Sequence, residues 1–181
     1  MGKTYAEIDD RLGGWLSRQH VFFVATAPSG GDGHVNCSPK GLDSFRVLGP
    51  LEVAYLDLTG SGAETIAHLR DNGRIVLLFA AFEGRPKIVR LYGSGEAVLP
   101  GDDRFAALAA EFDEHPGTRS VIRVDVTRIA DSCGYGVPLY GYRGERDGLD
   151  NFARHRGAAG LAEYRAERNR LSIDGLPALD E

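Results

Sequence analysis

The stretch from His34 to Thr65 decides the fold of this chain, because it places two strand sequences and a helix start in close succession. The segment HVNCSPKG covers residues 34–41, EVAYLDL covers 52–58, and TGSGAET covers 59–65 and opens a helix. Strands place backbone and side-chain edges beside a flat ligand, and the first N–H groups of a helix point outward and attract a phosphate. This order is typical of a site for a phosphorylated aromatic cofactor.

The composition is that of one ordinary domain. The chain has 181 residues, of which 43% are hydrophobic, and this is enough to bury one core. A formal net charge of −5 disfavours nucleic acid, which requires a basic surface. Cys37 and Cys133 lack redox or metal spacing, and no apolar run approaches the ~20 residues of a membrane helix. We expect one cytoplasmic domain over residues 1–181, with a helical extension from about residue 147 and no membrane partner.

Hydrophobic periodicity predicts a mainly β protein with helices between the strands and at both ends. The strand at 74–82 is apolar on both faces, so we expect it to be central, and Gly93 and Gly95 indicate a bulge or bend in a curved sheet. The predicted strands are Val21–Ala27, His34–Ser38, Leu51–Leu58, Arg74–Phe82, Lys87–Leu99 and Ser120–Ile129. The predicted helices are Tyr5–Leu16, Glu64–Arg70, Asp102–Phe112 and Asp147 to about Asn169. Six or more strands joined mostly by hairpins favour an antiparallel barrel.

Three strings in this order resemble the pyridoxamine 5′-phosphate oxidase-like family: VNCSPKG at 35–41, AYLDLTGSGAETIAHLRDNGRIVLLF at 54–79 and RLYGSGEAV at 90–98. The resemblance covers roughly residues 5–130, and CGYGVP at 133–138 is similar to one branch of the family rather than to the end of the biosynthetic oxidase. It implies an α+β fold, an antiparallel Greek-key split barrel that binds FMN. It also implies a homodimer with two FMN sites at the interface, each built from both chains.

The resemblance also implies which residues contact the cofactor. The first strand would lie along the edge of the isoalloxazine ring, the second would end beside it, and the helix start would hold the ribityl phosphate. The implied residues are Asn36, Cys37, Ser38, Pro39, Lys40, Asp57, Leu58, Thr59, Ser61, Glu64 and Thr65. A lysine ammonium and backbone N–H groups suit this role, because they stabilise the negative charge of a reduced flavin.

The helix start departs from the family pattern. Members typically carry an arginine or lysine in this turn, whereas this chain has Ala63, Glu64 and Thr65. Ser61 and Glu64 have the spacing of a capping box, which is the purely structural interpretation of the turn. If FMN binds, the compensating positive charge comes from elsewhere, and the candidates are Lys40, Arg46 and Arg90.

Two further aromatic residues are candidates to close over the ring. Tyr92 and Tyr135, the latter in a glycine-rich loop, are able to stack on a planar ligand from either chain. The alternative is that the glycines serve turns and Tyr92 packs in the barrel. No catalytic residue is indicated, and the five histidines show no metal-ligand spacing.

These features favour an FMN-dependent oxidoreductase that acts on a small substrate, in which the flavin carries the chemistry. Two alternatives stay open. One is a non-catalytic protein that binds flavin or haem, which Glu64 in the phosphate turn favours slightly. The other is a deazaflavin-dependent reductase. Oxidation of pyridoxamine phosphate itself is disfavoured because the C-terminal end differs from that of the biosynthetic enzyme.

Overall fold

Residues 2–179, which the computed structural model describes, form one curved antiparallel sheet of eight strands with four helices around it. The strands are β1 (Thr4–Tyr5), β2 (Phe22–Thr26), β3 (Asn36–Lys40), β4 (Phe45–Gly49), β5 (Glu52–Leu58), β6 (Arg74–Ala80), β7 (Ile88–Val98) and β8 (Thr118–Ser132). The helices are α1 (Asp10–Leu16), α2 (Glu64–Asn72), α3 (Phe105–Ala109) and α4 (Gly148–Arg168). Within these residues no helix is both long and apolar enough to cross a membrane.

The order of the strands leaves the barrel open on one side. It runs β3-β2-β6-β7-β8-β5-β4, with β1 paired to the far part of β8. The predicted central position of β6 is confirmed, since β6 lies between β2 and β7. β3 and β4 are the terminal strands, so in the described chain one edge of β3 pairs with no strand. An unpaired edge presents backbone N–H and C=O groups that a ligand can use.

The register of β2 and β3 divides the candidate residues of β3 between two faces. Phe22 and Val24, which point into the core, lie opposite Lys40 and Ser38. Because side chains alternate along a strand, Asn36, Ser38 and Lys40 face inward, and Cys37 and Pro39 face outward. A core of large apolar side chains fills the barrel below this strand. It includes Tyr55, Leu77, Phe79, Leu91 and Ile122.

The capping box predicted from Ser61 and Glu64 is wrong. The N-cap of α2 is Ala63, no side chain caps the helix within residues 2–179, and Glu64 is the first helical residue. The helix starts at Glu64, as predicted, but the loop before it is held by a residue of β8: the Gly62 carbonyl accepts a hydrogen bond of 2.9 Å from Arg119 Nη1. At the other end the helix runs to Asn72, two residues beyond the predicted Arg70, and Gly73 closes it with a φ of 71° and an N–H bond to Leu69 O.

Two other predicted elements differ from the structure, and one strand of the structure was not predicted. The first helix does not reach Tyr5: its N-cap is Asp9, which accepts from the Leu12 N–H at 2.7 Å. Thr4 and Tyr5 instead pair with β8. The helix predicted over 102–112 is confined to α3, because the Asp102 carboxylate accepts from the Arg104 N–H and forms a turn there. β4 was not predicted, since the Gly-Pro pair formed by its last residue and Pro50 is typical of a loop; Pro50 and Leu51 form the turn to β5.

The C-terminal helix is confirmed, and an unpredicted segment follows it. α4 changes direction at Gly157, where φ is 63°. Residues 169–179 then fold back on the barrel, with an isolated bridge between Leu171 and Pro177 and with Ala178 fully buried in the core. We call residues 169–179 the C-terminal arm.

The predicted bulge lies at Gly93, where β7 and β8 approach each other closely. A substitution at this position tests that close approach. The register shifts between Tyr92 and Gly93, and a Cβ atom there would lie 2.3 Å from Asp125 O. Gly93→Ala is therefore expected to lower the free energy of unfolding by about 1–3 kcal/mol in chemical denaturation. Gly101→Ala, in a turn with no atom within 4 Å of the added Cβ, is the control and is expected to stay within about 0.5 kcal/mol. Equal stability of the two variants would contradict this geometry.

Candidate functional site

The site is organised by a buried ion pair between β5 and β8. Asp57 is 1% exposed, and its carboxylate accepts from Arg119 Nε at 2.7 Å and from Arg119 Nη2 at 3.2 Å. Ser120 Oγ adds a third hydrogen bond of 3.1 Å. Burial alone would raise the pKa of Asp57, but the charge and hydrogen bonds of Arg119, with help from Lys40, hold it below its ordinary value. Asp57 is therefore a buried anion with a dedicated counter-charge.

Arg119 also fixes the loop that leads into α2. Its Nη1 donates to Gly62 O at 2.9 Å and to Asn169 Oδ1 at 2.8 Å, so one guanidinium joins β5, the loop and the C-terminal arm. Asn169 is fully buried and donates in turn to Gly60 O at 3.0 Å. The loop of residues 59–62 is thus held from both sides by side chains that are distant in sequence.

A second arginine approaches the same loop from α4. Arg165 Nε donates to Thr59 Oγ1 and Arg165 Nη2 donates to Thr118 O, both at 2.9 Å. Burial and the positive charge of Arg119 lower the pKa of Arg165, while Asp57 opposes them. These two bonds engage two of the five N–H groups of the guanidinium.

Lys40 brings a third cation to Asp57 from β3. Its Nζ lies 3.8 Å from Asp57 Oδ1 and 5.9 Å from the centroid of the Tyr55 ring. Lys40 and Arg119 therefore form ion pairs with one buried carboxylate, and Arg165 lies near enough for the charge of Asp57 to act on its pKa. Glu64 adds a second carboxylate at the helix start, where it accepts from the Ile173 N–H of the C-terminal arm at 3.3 Å. The local balance of charge is positive, which suits an anionic ligand.

Asn36 connects β3 to a series of hydrogen bonds that ends at a buried histidine. Its Nδ2 donates to Thr65 Oγ1 at 3.1 Å and to Thr26 Oγ1 at 3.3 Å, and Thr26 Oγ1 lies 2.9 Å from His68 Nδ1. His68 is fully buried, and this burial lowers its pKa in spite of acidic neighbours. This series of hydrogen bonds holds the free edge of β3 against the first turn of α2.

Beside these hydrogen bonds lie two buried polar atoms, Tyr55 Oη and His68 Nε2. Neither makes a hydrogen bond of good geometry within residues 2–179. Burial, followed by the charge of Asp57, raises the pKa of Tyr55 well above its ordinary value although Thr65 and Arg119 oppose the shift, so the phenol stays protonated. Buried polar groups nearly always find a partner, in protein, water or a ligand. We call the set Asn36, Ser38, Lys40, Tyr55, Asp57 and Thr65 the polar seam.

The structure distributes the other predicted residues as follows. Thr59 is buried and bonded to Gly117 O and Arg165, Leu58 packs against a second apolar cluster, and Ser61 is exposed in the loop. The outward residues of β3 share a sheet face with two others: by register, Arg90 lies opposite Leu78, and Tyr92 lies opposite Val76. This outward face consists of Phe23, Ala25, Cys37, Pro39, Val76, Leu78, Arg90 and Tyr92.

Besides Cys37, Pro39 and Tyr92 on the outward face, three further candidates lie away from the polar seam. Arg90 donates to Ser132 Oγ on the outward face, and Tyr135 is 82% exposed. Arg46 is bonded to Asp43 and to Glu111 O on the far side of β4. Of the three cations considered for a phosphate, the structure therefore places only Lys40 in the polar seam.

Sequence reasoning missed the residues that organise the loop: Arg119, Arg165 and Asn169. Arg119 is a buried residue near the start of β8. In the sequence, a lone arginine beside an apolar strand was the one local feature that could have indicated its role. Arg165 and Asn169 lie in a helix whose many charges are typical of a solvated surface, so nothing local distinguished them. Only the packing of α4 against the loop reveals their role.

Comparison with known proteins agrees with this architecture. A family model described as pyridoxamine 5′-phosphate oxidase matches residues 8–133. The chain belongs to the pyridoxamine 5′-phosphate oxidase family. Within this family, the curated protein ustO of Aspergillus flavus is 41% identical over 192 residues, which cover 97% of this chain and 77% of that protein. The similarity to ustO extends beyond the matched model and includes α4 and the C-terminal arm.

Solved structures support the fold alone at their levels of identity. A variant of HupZ from Group A Streptococcus has a TM-score of 0.57 and 24% identity, and covers 69% of this chain and 99% of its own. The FAD binding protein from Mycobacterium smegmatis has a TM-score of 0.51 and 17% identity, and covers 70% of this chain and 97% of its own. The predicted split barrel of the pyridoxamine 5′-phosphate oxidase family is thereby confirmed.

The buried ion pair predicts a specific dependence of stability on pH. Because the folded pKa of Asp57 lies below its ordinary value, its contribution to stability is present above about pH 4 and is lost as the pH falls through the lowered pKa. Asp57→Asn leaves Arg119 without its counter-charge and is expected to cost about 3–5 kcal/mol at neutral pH. Between neutral pH and about pH 3, the free energy of unfolding measured in urea should therefore fall less for the variant than for the wild type. The exposed Asp103→Asn is the matched control, and parallel pH profiles of Asp57→Asn and the wild type would contradict the account.

The hydrogen bonds that link Asn36, Thr26 and His68 predict that removal of the Thr26 hydroxyl destabilises the protein. Thr26→Val keeps the shape of the side chain but takes away the partner of His68 Nδ1 and one partner of Asn36. The free energy of unfolding should fall by about 1–3 kcal/mol, because His68 Nδ1 is left buried and unpaired and Asn36 keeps only its bond to Thr65. Thr127→Val, on the exposed side of β8, is expected to change it by less than about 0.5 kcal/mol. A Thr26→Val variant as stable as Thr127→Val would show that these hydrogen bonds do not contribute to the stability of the protein.

Proposed function

We propose that this member of the pyridoxamine 5′-phosphate oxidase family is an FMN-dependent oxidoreductase that acts on a small substrate. The observation that carries the proposal is the meeting of three features: an edge of β3 and a first turn of α2 that are, respectively, unpaired and uncapped by the described residues, and a locally positive charge from Lys40, Arg119 and Arg165. The first suits the polar edge of a flat ring, and the other two suit a phosphate.

The residues of the polar seam fit such a ligand in their chemistry. The hydroxyl of Tyr55 makes no hydrogen bond of good geometry within the described chain, and Arg165 keeps N–H groups beyond those bonded to Thr59 and Thr118. The inward side chains already bond to one another, since Asn36 contacts Thr65 and Lys40 contacts Asp57. A ligand would therefore be held by the backbone edge of β3 and by the loop before α2, with these side chains as support.

Glu64, which made this turn unusual, is compatible with the proposal. Its carboxylate accepts from the Ile173 N–H, so it is partly engaged by the C-terminal arm. The two guanidinium groups on the loop supply the charge that other family members place within the turn. Arg119 and Arg165 thus replace, from β8 and α4, the cation that residues 63–65 lack.

Bound flavin supplies hydride and electron transfer, and the protein supplies binding, orientation and charge. Lys40 keeps a positive charge near the ligand, which favours an anionic reduced state. Arg119 holds the 59–62 loop in place, and Asn36, through Thr26 and Thr65, holds the strand edge. The FAD binding protein from Mycobacterium smegmatis shares this fold, so FAD is the natural competitor in a test of FMN.

We also propose a homodimer whose interface includes the outward face. Val76 and Leu78 belong to the central strand β6, yet both are only half-buried, and Tyr92 beside them is 39% exposed. Apolar side chains in the middle of a sheet are normally covered, and a second protomer would cover these. Cys37, Pro39 and Arg90 lie on the same face, so the free edge of β3 would approach the partner.

The proposal predicts saturable binding of FMN that depends on Lys40. Titration of the purified protein should give a micromolar or tighter dissociation constant for FMN, and Lys40→Met should weaken binding about tenfold or more, which is about 1.4 kcal/mol. Lys3→Met, an exposed lysine over the Tyr5 ring, is the matched control and should bind as the wild type does.

Parallel titrations with FAD and a deazaflavin, together with turnover of NAD(P)H, separate the proposed enzyme from a storage protein. Sedimentation of the same samples should show a dimer. A folded protein that binds no flavin, or one in which Lys40→Met and Lys3→Met bind equally, would remove the proposed site. Tight FMN binding by a monomer would contradict the interface.

A further inference from the structure

A cleft of about 820 Å³ lies outside the polar seam, between the end of α1, the β6–β7 turn and the segment after β8. Its volume is within the range of about 300–1,000 Å³ typical of small-molecule sites. Aromatic rings and two arginines line it, and we call it the aromatic cleft. Its defining residues are Trp15, Arg18, His20, Phe82, Arg85 and Tyr142.

The aromatic walls of the cleft are ordered by hydrogen bonds. The rings of His20 and Tyr142 stack with centroids 3.6 Å apart and an angle of 5°. The Tyr142 N–H donates to Glu83 Oε1 at 2.8 Å, and its hydroxyl donates to Glu145 Oε1 at 2.9 Å. Tyr140 joins the same wall, because its N–H bonds to Phe82 O. Flat rings held in this way form a ready surface for a planar ligand.

The charges of the cleft are positive, although the chain as a whole carries −5. Arg18 and Arg85 line it, and neither forms an ion pair with any residue in the described range, in contrast to Arg104 and Arg123. The one carboxylate in the lining, Glu83, is engaged by the Tyr142 N–H. Unpaired guanidinium groups beside aromatic rings complement a carboxylate on a flat molecule.

We propose that the aromatic cleft binds a planar aromatic carboxylate. One outer face of the stacked pair of His20 and Tyr142 would pack on the flat part of such a molecule, because the inner faces of the two rings cover each other, and Arg18 and Arg85 would pair with its carboxylate. The proposal does not depend on flavin, because no residue of the cleft belongs to the polar seam. If the protein is the proposed oxidoreductase, the aromatic cleft would bind a ligand other than the flavin.

Trp15 makes the test direct, because it is the single tryptophan of the chain and lies in the cleft. Its fluorescence should be quenched saturably by 2-naphthoate. 2-Naphthamide, which has the same shape without the charge, and cyclohexanecarboxylate, which has the charge without the flat ring, should each bind about tenfold more weakly. The absence of saturable quenching, or equal affinity for naphthoate and naphthamide, would overturn the proposal.

Variants locate the site. Arg18→Met and Arg85→Met should each weaken naphthoate binding about fivefold and leave naphthamide unchanged, whereas Tyr142→Leu should weaken both. Arg104→Met, which removes an arginine from exposed ion pairs elsewhere, should have no effect. If Arg104→Met matches the cleft arginines, the charge effect is non-specific and the proposal fails.

The titration is repeated with the protein saturated with FMN and at two protein concentrations. Unchanged affinity for naphthoate supports a separate site, and displacement of FMN by naphthoate would overturn it by showing that flavin occupies the cleft. Affinity that falls with increasing protein concentration would show that a second copy of the chain covers the cleft, which also overturns the proposal. A protein that binds naphthoate but no FMN would refute the proposed function and leave this site standing.

Discussion

The ion pair of Asp57 and Arg119 is the interaction on which the site depends. A buried carboxylate is costly unless a cation neutralises it, and here one guanidinium does so while its remaining N–H groups reach Gly62 O and Asn169 Oδ1. The same contact therefore sets the end of β5, the loop before α2 and the start of the C-terminal arm. Arg119 holds that loop, and α2 begins at Glu64 without a hydrogen-bonded side-chain cap from any residue of the range 2–179.

This arrangement explains how the chain combines a family fold with an unusual helix start. The split barrel of the pyridoxamine 5′-phosphate oxidase family supplies the open edge of β3 and the end of β5. Arg119 and Arg165 come from β8 and α4, and they give the turn a positive charge although the turn itself contains Glu64. The C-terminal helix thus contributes to the site as well as to the surface, and ustO of Aspergillus flavus, which is similar over 97% of this chain, provides a natural comparison for it.

Much of the fold was predictable from local pattern, whereas much of the site was not. The apolar run of β6 predicts a central strand, and Gly93 predicts the bulge, because each effect acts through neighbouring residues. The first residue of α2, Glu64, was predicted correctly, but the capping box before it was not, since Arg119 lies 57 residues from the carbonyl it holds. The alternation of side chains along a strand predicts that the residues of β3 divide between two faces. Only the pairing with β2 shows which of the two faces is inward. Interactions between distant segments leave no periodic signal.

The most direct test of the account is hydrogen–deuterium exchange with and without saturating FMN. If the edge of β3 and the loop held by Arg119 form the ligand site, FMN should slow exchange at residues 36–40 and 59–66 and at the end of α4. The aromatic cleft, including residues 82–85, should exchange as before. Protection confined to the cleft, with residues 59–66 unchanged while FMN is bound, would contradict the account.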